Sequence, residues 1–201
     1  MTAIDLYLDP VCPFSWVTSR WLLDAADKTG RPVTLRQMSL AVLNEGEDAD
    51  EAHQRMFERS RRLGRLFAAV TDRHGPEAFA CLYEPIGTRL HVEKEEVTPG
   101  FVADVRRDLG LEDSLSKALD ETEYDSKYDS KYDEAVRRAH AASQDALGDE
   151  AGSPIIAIDG RAFFGPVLTA LPEPDDRVVL LDAVVSAAGV PAFAVLQRPH
   201  G

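Results

Sequence analysis

Asp9-Pro10-Val11-Cys12-Pro13-Phe14-Ser15-Trp16 is the stretch on which the reading of this chain turns. Ahead of it, Ala3-Ile4-Asp5-Leu6-Tyr7-Leu8 has the apolar and β-branched character of a strand. Behind it, Trp16, Val17, Arg20, Trp21, Leu22 and Leu23 fall at helical spacing. A cysteine therefore lands at a strand-to-helix junction. Pro13 suits the first helical position, where its missing N–H breaks no hydrogen bond. The sulfur of Cys12 is then expected beside the unpaired N–H groups of the first turn and the positive end of the helix dipole, both of which favour thiolate over thiol. The alternative is a cysteine that serves only as a small buried hydrophobe. Ser15, one turn on, can aim its hydroxyl at the same sulfur and lower its pKa further, but it cannot complete a disulfide. A mixed disulfide on Cys12 would have to be released by an outside thiol.

Working outward, Gly30 and Pro32 punctuate the chain, and Val33 to Met38 alternates as a second strand, giving a βαβ opening. Asn44 to Asp48 reads as the exit loop. From Glu51 to Ala146 the patterns are helical. A first helix carries Met56, Phe57, Leu63, Leu66, Phe67 and Val70 up to His74-Gly75-Pro76; a second carries Phe79, Leu82, Tyr83 and Ile86. Thr98-Pro99 caps a third that runs to Leu109-Gly110, and Leu111, Leu115 and Leu119 mark a short fourth. Tyr124 to Asp133 repeats a four-residue unit. On a helix this makes a tyrosine stripe, expected to pack on the bundle, and a solvated acidic stripe of Asp125, Asp129 and Asp133. Ser153 to Ile158 begins a third strand, Asp159-Gly160 is a two-residue hairpin signal into Arg161 to Phe164, and Gly165-Pro166 stops it. The last helix starts near Pro174 and is expected to bury Val178, Val179, Leu180, Leu181, Val184 and Val185. The order βαβ, helices, ββα is that of a thioredoxin-like fold in the α/β class. It predicts a mixed four-stranded sheet flanked by helices, with residues 1–48 and 148–201 forming that domain and 49–147 an all-helical insertion subdomain.

Composition narrows the function. The 201 residues carry a net charge of -13 with no basic cluster, which argues against nucleic acid and anionic membranes as partners. No basic leader precedes an apolar core, and no run reaches the ~20 apolar residues of a membrane span, so a cytoplasmic location is expected. Two cysteines cannot build a disulfide framework. Cys81 sits beside Phe79 and Leu82 and is expected in the core of the second insert helix; the alternative pairs it with Cys12 in a two-cysteine cycle. No cysteine or histidine lies at ligand spacing from Cys12, so no metal is expected. No glycine stretch has a phosphate-binding fingerprint, and no nicotinamide site is legible.

Cys12-Pro13-Phe14-Ser15 occupies the place of the Cys-x-x-Cys box of thioredoxin-fold proteins. Asp-Pro before the box and Ser-Trp after it resemble the DsbA-like branch, which includes kappa-class glutathione transferases and 2-hydroxychromene-2-carboxylate isomerases. Within that branch the chain is most similar to the actinobacterial mycothiol-dependent nitroreductase family, over Cys12 to Trp21, Met38 to Glu45, Gly87 to His91, Gly152 to Ile156 and Phe163 to Leu168. It departs from that family where the box ends in Ser15 in place of a second cysteine. The resemblance implies Cys12 as nucleophile, a cis Ser153-Pro154 bond presenting the Ser153 main chain to substrate, and Asn44 and His91 lining the cleft. Histidine near the sulfur could act as acid or base or steady the thiolate; a polar surface position is the alternative. Phe14 and Trp16 flank the box; Phe14 is expected to face the ligand, while Trp16 and Trp21 read as core aromatics. Arg89 could pair with a carboxylate or sugar acid on a thiol cofactor or form a surface salt bridge.

These residues predict a cytosolic monothiol oxidoreductase. Cys12, Ser15 and Pro154 are its expected catalytic group, and Pro13, Phe14, Asn44, Arg89, His91 and Ser153 its expected substrate contacts. The implied cofactor is a low-molecular-weight thiol, mycothiol or glutathione-like, and the partner substrate is a disulfide or an electrophile such as a nitroaromatic. The competing readings are a kappa-class-like thiol transferase or isomerase, and a non-catalytic binding module. The sequence leaves the oligomeric state open, with a homodimer among the options.

Overall fold

β1 (Ile4–Leu8) turns Ile4, Leu6 and Leu8 into the core and Asp5 and Tyr7 to its other face, the period of two that a strand imposes. The computed structural model describes residues 2–112 and 131–198. β1 pairs in parallel with β2 (Val33–Gln37), Leu6 opposite Leu35, and antiparallel with β3 (Ile155–Ile158), Leu6 opposite Ile156. β4 (Arg161–Phe164) adds to β3 antiparallel, so the strand order is β2-β1-β3-β4. The chain thus has the mixed four-stranded sheet of a thioredoxin-like fold. Asp159 and Gly160 both take positive φ, 48° and 80°, as a tight two-residue hairpin between β3 and β4 requires.

α1 (Pro13–Thr29) buries Trp21, Leu22 and Ala25 and stops at Gly30, whose φ of 65° caps the helix. It packs against α7 (Pro174–Ala188), where Trp21 Nε1 donates to the Arg177 carbonyl. α7 covers the core with a narrower stripe than the sequence predicts. Leu181 and Ala188 are buried and Leu180, Val184 and Val185 pack against the core, but Val179 is 66% exposed. Two residues from Leu181 is about 200° around a helix, so Val179 cannot share its face.

α2 (Leu40–Leu43) is capped by the Ser39 hydroxyl and α3 (Glu51–His74) by Asp50. α3 presents Ser60, Leu63, Leu66, Phe67 and Val70 inward, and α4 (Glu77–Gly87) presents Phe79, Leu82, Tyr83 and Ile86. α4 runs on into a π-helical turn, Thr88–Val92, which no sequence pattern announced. α5 (Pro99–Leu109) has Thr98 Oγ1 accepting from the Phe101 amide, and α6 (Lys131–Leu147) packs on α3.

The expected fourth insert helix and most of the tyrosine repeat lie outside the described residues. Of the repeat's end, Tyr132 packs against the core as expected, but Asp133 is not on a solvated face. It takes a bidentate pair from Arg65 at 2.6 and 2.9 Å, with both side chains about nine-tenths covered. Cys81 is also misplaced by the sequence reading, because it is exposed on α4. It sits two residues past Phe79, on the far side of the helix from the stripe that Phe79, Leu82, Tyr83 and Ile86 define.

Gly87 is where α4 touches α1. A Cβ built there would stand 2.2 Å from Trp16 Cζ3 and 2.4 Å from Cε3. Gly87→Ala is therefore expected to destabilise the protein by about 2 kcal/mol, the overpacking cost exceeding the better helix propensity of alanine. A urea midpoint that stays the same or rises would show that the indole has room to move.

Candidate active site

The end of β1, the start of α1 and the start of β3 meet around Cys12. Cys12 is the N-cap of α1 with extended backbone (φ -76°, ψ 115°), and Pro13 is the first helical residue, as the sequence predicts. The Ser153-Pro154 bond is cis, and so is Gly165-Pro166. Cys12 Sγ donates to the Ser153 carbonyl at 3.3 Å. Ser15 is fully buried, its Oγ 2.6 Å from Ser153 Oγ, and Ser153 Oγ accepts from the Asp9 amide at 2.8 Å. The Asp9 N–H occupies one lone pair of Ser153, so Ser153 can pass its own proton to Ser15. That leaves the Ser15 proton for the sulfur.

The expected thiolate is not what this geometry gives. Cys12 is 4% exposed, and burial pushes its thiol pKa up; the Ser15 hydroxyl and the amides of Ser15 and Phe14 pull down, and the buried Asp9 carboxyl adds to the rise. Sequence shows that a cysteine begins a helix, but not how far its sulfur is withdrawn from water. In the free protein the group is a neutral thiol. Ionisation would exchange the Ser153 carbonyl, which only an S–H can use, for the hydroxyl and amide donors on the other side.

Asp9 was read only as part of the motif, yet it holds the site together. Its carboxyl is fully buried. It accepts from the Val11 amide at 2.9 Å, from the Leu40 amide at 2.7 Å, and from the hydroxyl of Ser60 on α3. Ser60 Oγ in turn accepts from the Ala41 amide at 3.1 Å. Burial raises the Asp9 pKa while these donors lower it, with burial prevailing. The Asp-Pro pair pointed to this position; nothing local pointed to Ser60, 51 residues away.

A cavity of about 370 Å³ opens beside the turn, in the size range of small-molecule sites. Val11 and Pro13, the neighbours of Cys12, form one wall; Met56 and Arg59 of α3 and Leu90 and His91 of the π-helical turn form the others. His91 Nε2 lies 2.8 Å from the Pro10 carbonyl, and its ring stacks on Trp16 at 5.6 Å. Burial lowers the His91 pKa, so the ring is neutral and donates to Pro10. His91 thus lines the cavity, with its polar contact to the backbone of the turn.

Of the other residues singled out in the sequence, Trp16 and Trp21 lie where expected, and Asn44 and Arg89 lie away from the cavity. Phe14 is 40% exposed at the start of α1, and Trp16 and Trp21 pack on or in the core. Pro154 is buried, and its carbonyl accepts from Gly165. Asn44 does not line the cavity; its amide donates to the Leu40 carbonyl and closes α2. Arg89 pairs with Asp108 and Glu95 and lies over Phe101, also away from the cavity lining. Among the described residues no cluster of acidic, histidine or cysteine side chains could hold a metal, and no helix is long and apolar enough to cross a membrane.

A thioredoxin-like sheet, with a cysteine opening its first helix against the proline that opens β3, is the architecture of the DsbA-like thiol oxidoreductases. The comparisons agree on that class. MdbA, a thiol-disulfide oxidoreductase from Corynebacterium diphtheriae, shares the fold with a TM-score of 0.51 at 19% identity, over 83% of this chain and 79% of that one. The cytosolic disulfide reductase DsbM from Pseudomonas aeruginosa, solved with GSH, gives 0.55 at 20% identity, covering 92% and 99%. A 2-hydroxychromene-2-carboxylate isomerase gives 0.57 at 16%, covering 90% and 94%. A family model described as Rv2466c-like, mycothiol-dependent nitroreductase Rv2466c, matches residues 11–198, and the chain belongs to that family of oxidoreductases. It is also 30% identical to the uncharacterized protein Rv2286c of Mycobacterium tuberculosis, over 99% of this chain and 83% of that protein.

Proposed function

We propose that the protein is a monothiol oxidoreductase in which Cys12 is the nucleophile and a low-molecular-weight thiol of the mycothiol type is the reductant. The observation that carries this is the setting of the Cys12 sulfur: at a helix start, between donors on one side and the Ser153 carbonyl on the other, beside a ligand-sized cavity. Membership of a family described as mycothiol-dependent supports the choice of thiol. A reducing cytosol is where a single-cysteine cycle of this kind can turn over.

In the cycle, the Cys12 thiolate attacks one sulfur of a disulfide R–S–S–R′, forming Cys12–S–S–R and releasing R′–S⁻. Ser15 has no sulfur with which to displace R. A second small thiolate must attack the R sulfur, producing a new disulfide and returning the Cys12 thiolate. With a nitro compound, two-electron reduction to the nitroso stage converts two thiols to one disulfide and releases one water. The Ser15 hydroxyl, oriented by Ser153 Oγ, steadies the thiolate in both cases, Pro154 fixes the Ser153 carbonyl that accepts from the resting thiol, and Pro13, Phe14 and His91 border the approach.

The test is intact mass after incubation with mycothiol disulfide and with glutathione disulfide, in a Cys81→Ser background because Cys81 is exposed. One thiol adduct is expected on Cys12, formed faster as pH rises past ~8.5, the ordinary thiol range, and stable until free thiol is added. Absence of an adduct on Cys12 with either disulfide at any pH would falsify the cycle.

A further inference from the structure

Arg59 is an exception in an acidic chain. With 35 acidic against 22 Lys and Arg side chains, most arginines are tied down: Arg20 to Glu84, Arg55 to Glu51, Arg65 to Asp133, Arg73 to Glu112. Arg59, on the cavity wall, makes no ion pair or hydrogen bond with any described residue. Its charge reaches across the cavity, where it and Lys94 both disfavour protonation of His91. No Asp or Glu is among the described residues that line the cavity, and Asp50, which pairs with the lining residue His53 at 2.9 Å, is engaged there. The remaining wall is mostly apolar, from Val11, Pro13, Ala52, Met56 and Leu90, with two imidazoles, His53 held to Asp50 and the His91 ring backed by Trp16.

We propose that this cavity selects a flat apolar molecule carrying a carboxylate, held by Arg59 against the His91 and Leu90 wall. The inference deepens the reading above, on which the cavity is where the substrate of Cys12 waits; it names that substrate's class. A guanidinium offers a planar two-donor fork that matches a carboxylate, and a partly enclosed, low-dielectric wall strengthens the pair. An anion must overcome the repulsion of a chain of charge -13. One cation that no described residue pairs with, placed on this wall, then decides between charged and neutral versions of the same ring.

The probes are 4-nitrobenzoate and uncharged 4-nitrobenzamide, titrated separately into the full chain and followed by quenching of Trp16 fluorescence. The wild-type protein is expected to bind the anion about tenfold more tightly than the amide at low salt. The preference should shrink at high ionic strength, where the Debye length falls below about 10 Å. Arg59→Met should bring the two probes within about twofold of each other, while Arg59→Lys keeps part of the preference. Equal binding of the two probes by wild type, a preference that survives in Arg59→Met, or no binding of either overturns the proposal. A protein that shows the charge preference but forms no Cys12 adduct would lose the thiol cycle and keep this pairing; the opposite pattern would lose only the pairing.

Discussion

Ser15→Cys is expected to convert the single-sulfur cycle into a two-sulfur one. Positions 12 and 15 are one helical turn apart, and the Ser15 hydroxyl already bears on the Cys12 sulfur. Mild oxidation of the variant should remove two hydrogens from the monomer, which wild type cannot do at this site. A glutathione adduct on Cys12 should then leave without added thiol, at least ~100-fold faster than from wild type in millimolar thiol, because a tethered nucleophile acts at very high effective concentration. The larger atom must displace the Ser153 hydroxyl, 2.6 Å from Ser15 Oγ, and that hydroxyl can swing away without unfolding a strand. An adduct as long-lived in Ser15→Cys as in wild type would mean that position 15 does not face the bonded sulfur. The contribution of Ser15 would then have to be sought in packing alone.

Asp9→Ala should be the most destabilising single change at the site, by about 3 kcal/mol or more, since it strands the Val11 and Leu40 amides and the Ser60 hydroxyl in a fully buried place. Its pH dependence has a definite sign. Burial raises the folded-state pKa of Asp9 above the unfolded value of ~3.9. The stability that Asp9 contributes is therefore fully present below that pH and is lost as pH rises through the folded pKa. Urea unfolding of wild type and variant at acid and neutral pH should show the gap between them narrowing towards neutrality. A gap that widens with pH would show that the three donors outweigh burial and hold the carboxylate ionised.

The order of strands, the helix that begins at Cys12 and the tight turn at Asp159-Gly160 were all readable from local pattern, because each rests on residues adjacent in sequence. The cis bond at Ser153 came from family resemblance, not from pattern. What the sequence could not reveal depends on contacts between distant segments. Neither the meeting of Asp9 with Ser60 nor the contact of Gly87 with Trp16 leaves a local trace. Cys81 and Val179 were assigned to the interior because their neighbours are apolar; a helix rotates by 100° per residue, and that placed both outside. Asn44 and Arg89, suggested by resemblance, are occupied by α2 and by Asp108. Arg59 carried no sequence signal, since an arginine on a long polar helix is unremarkable until its neighbours are known.

α3 places Ser60 under the Cys12 turn and, one residue earlier, Arg59 on the wall of the cavity. A hinge that carried this helix outward would leave the Asp9 carboxyl and the Ala41 amide facing an empty gap. If Cys12 exchanges thiols as proposed, side-chain swings at the doorway cost less than lifting α3 off Asp9 and Ala41. On the two proposals above, width and charge at that doorway would admit or refuse a molecule before any covalent step begins.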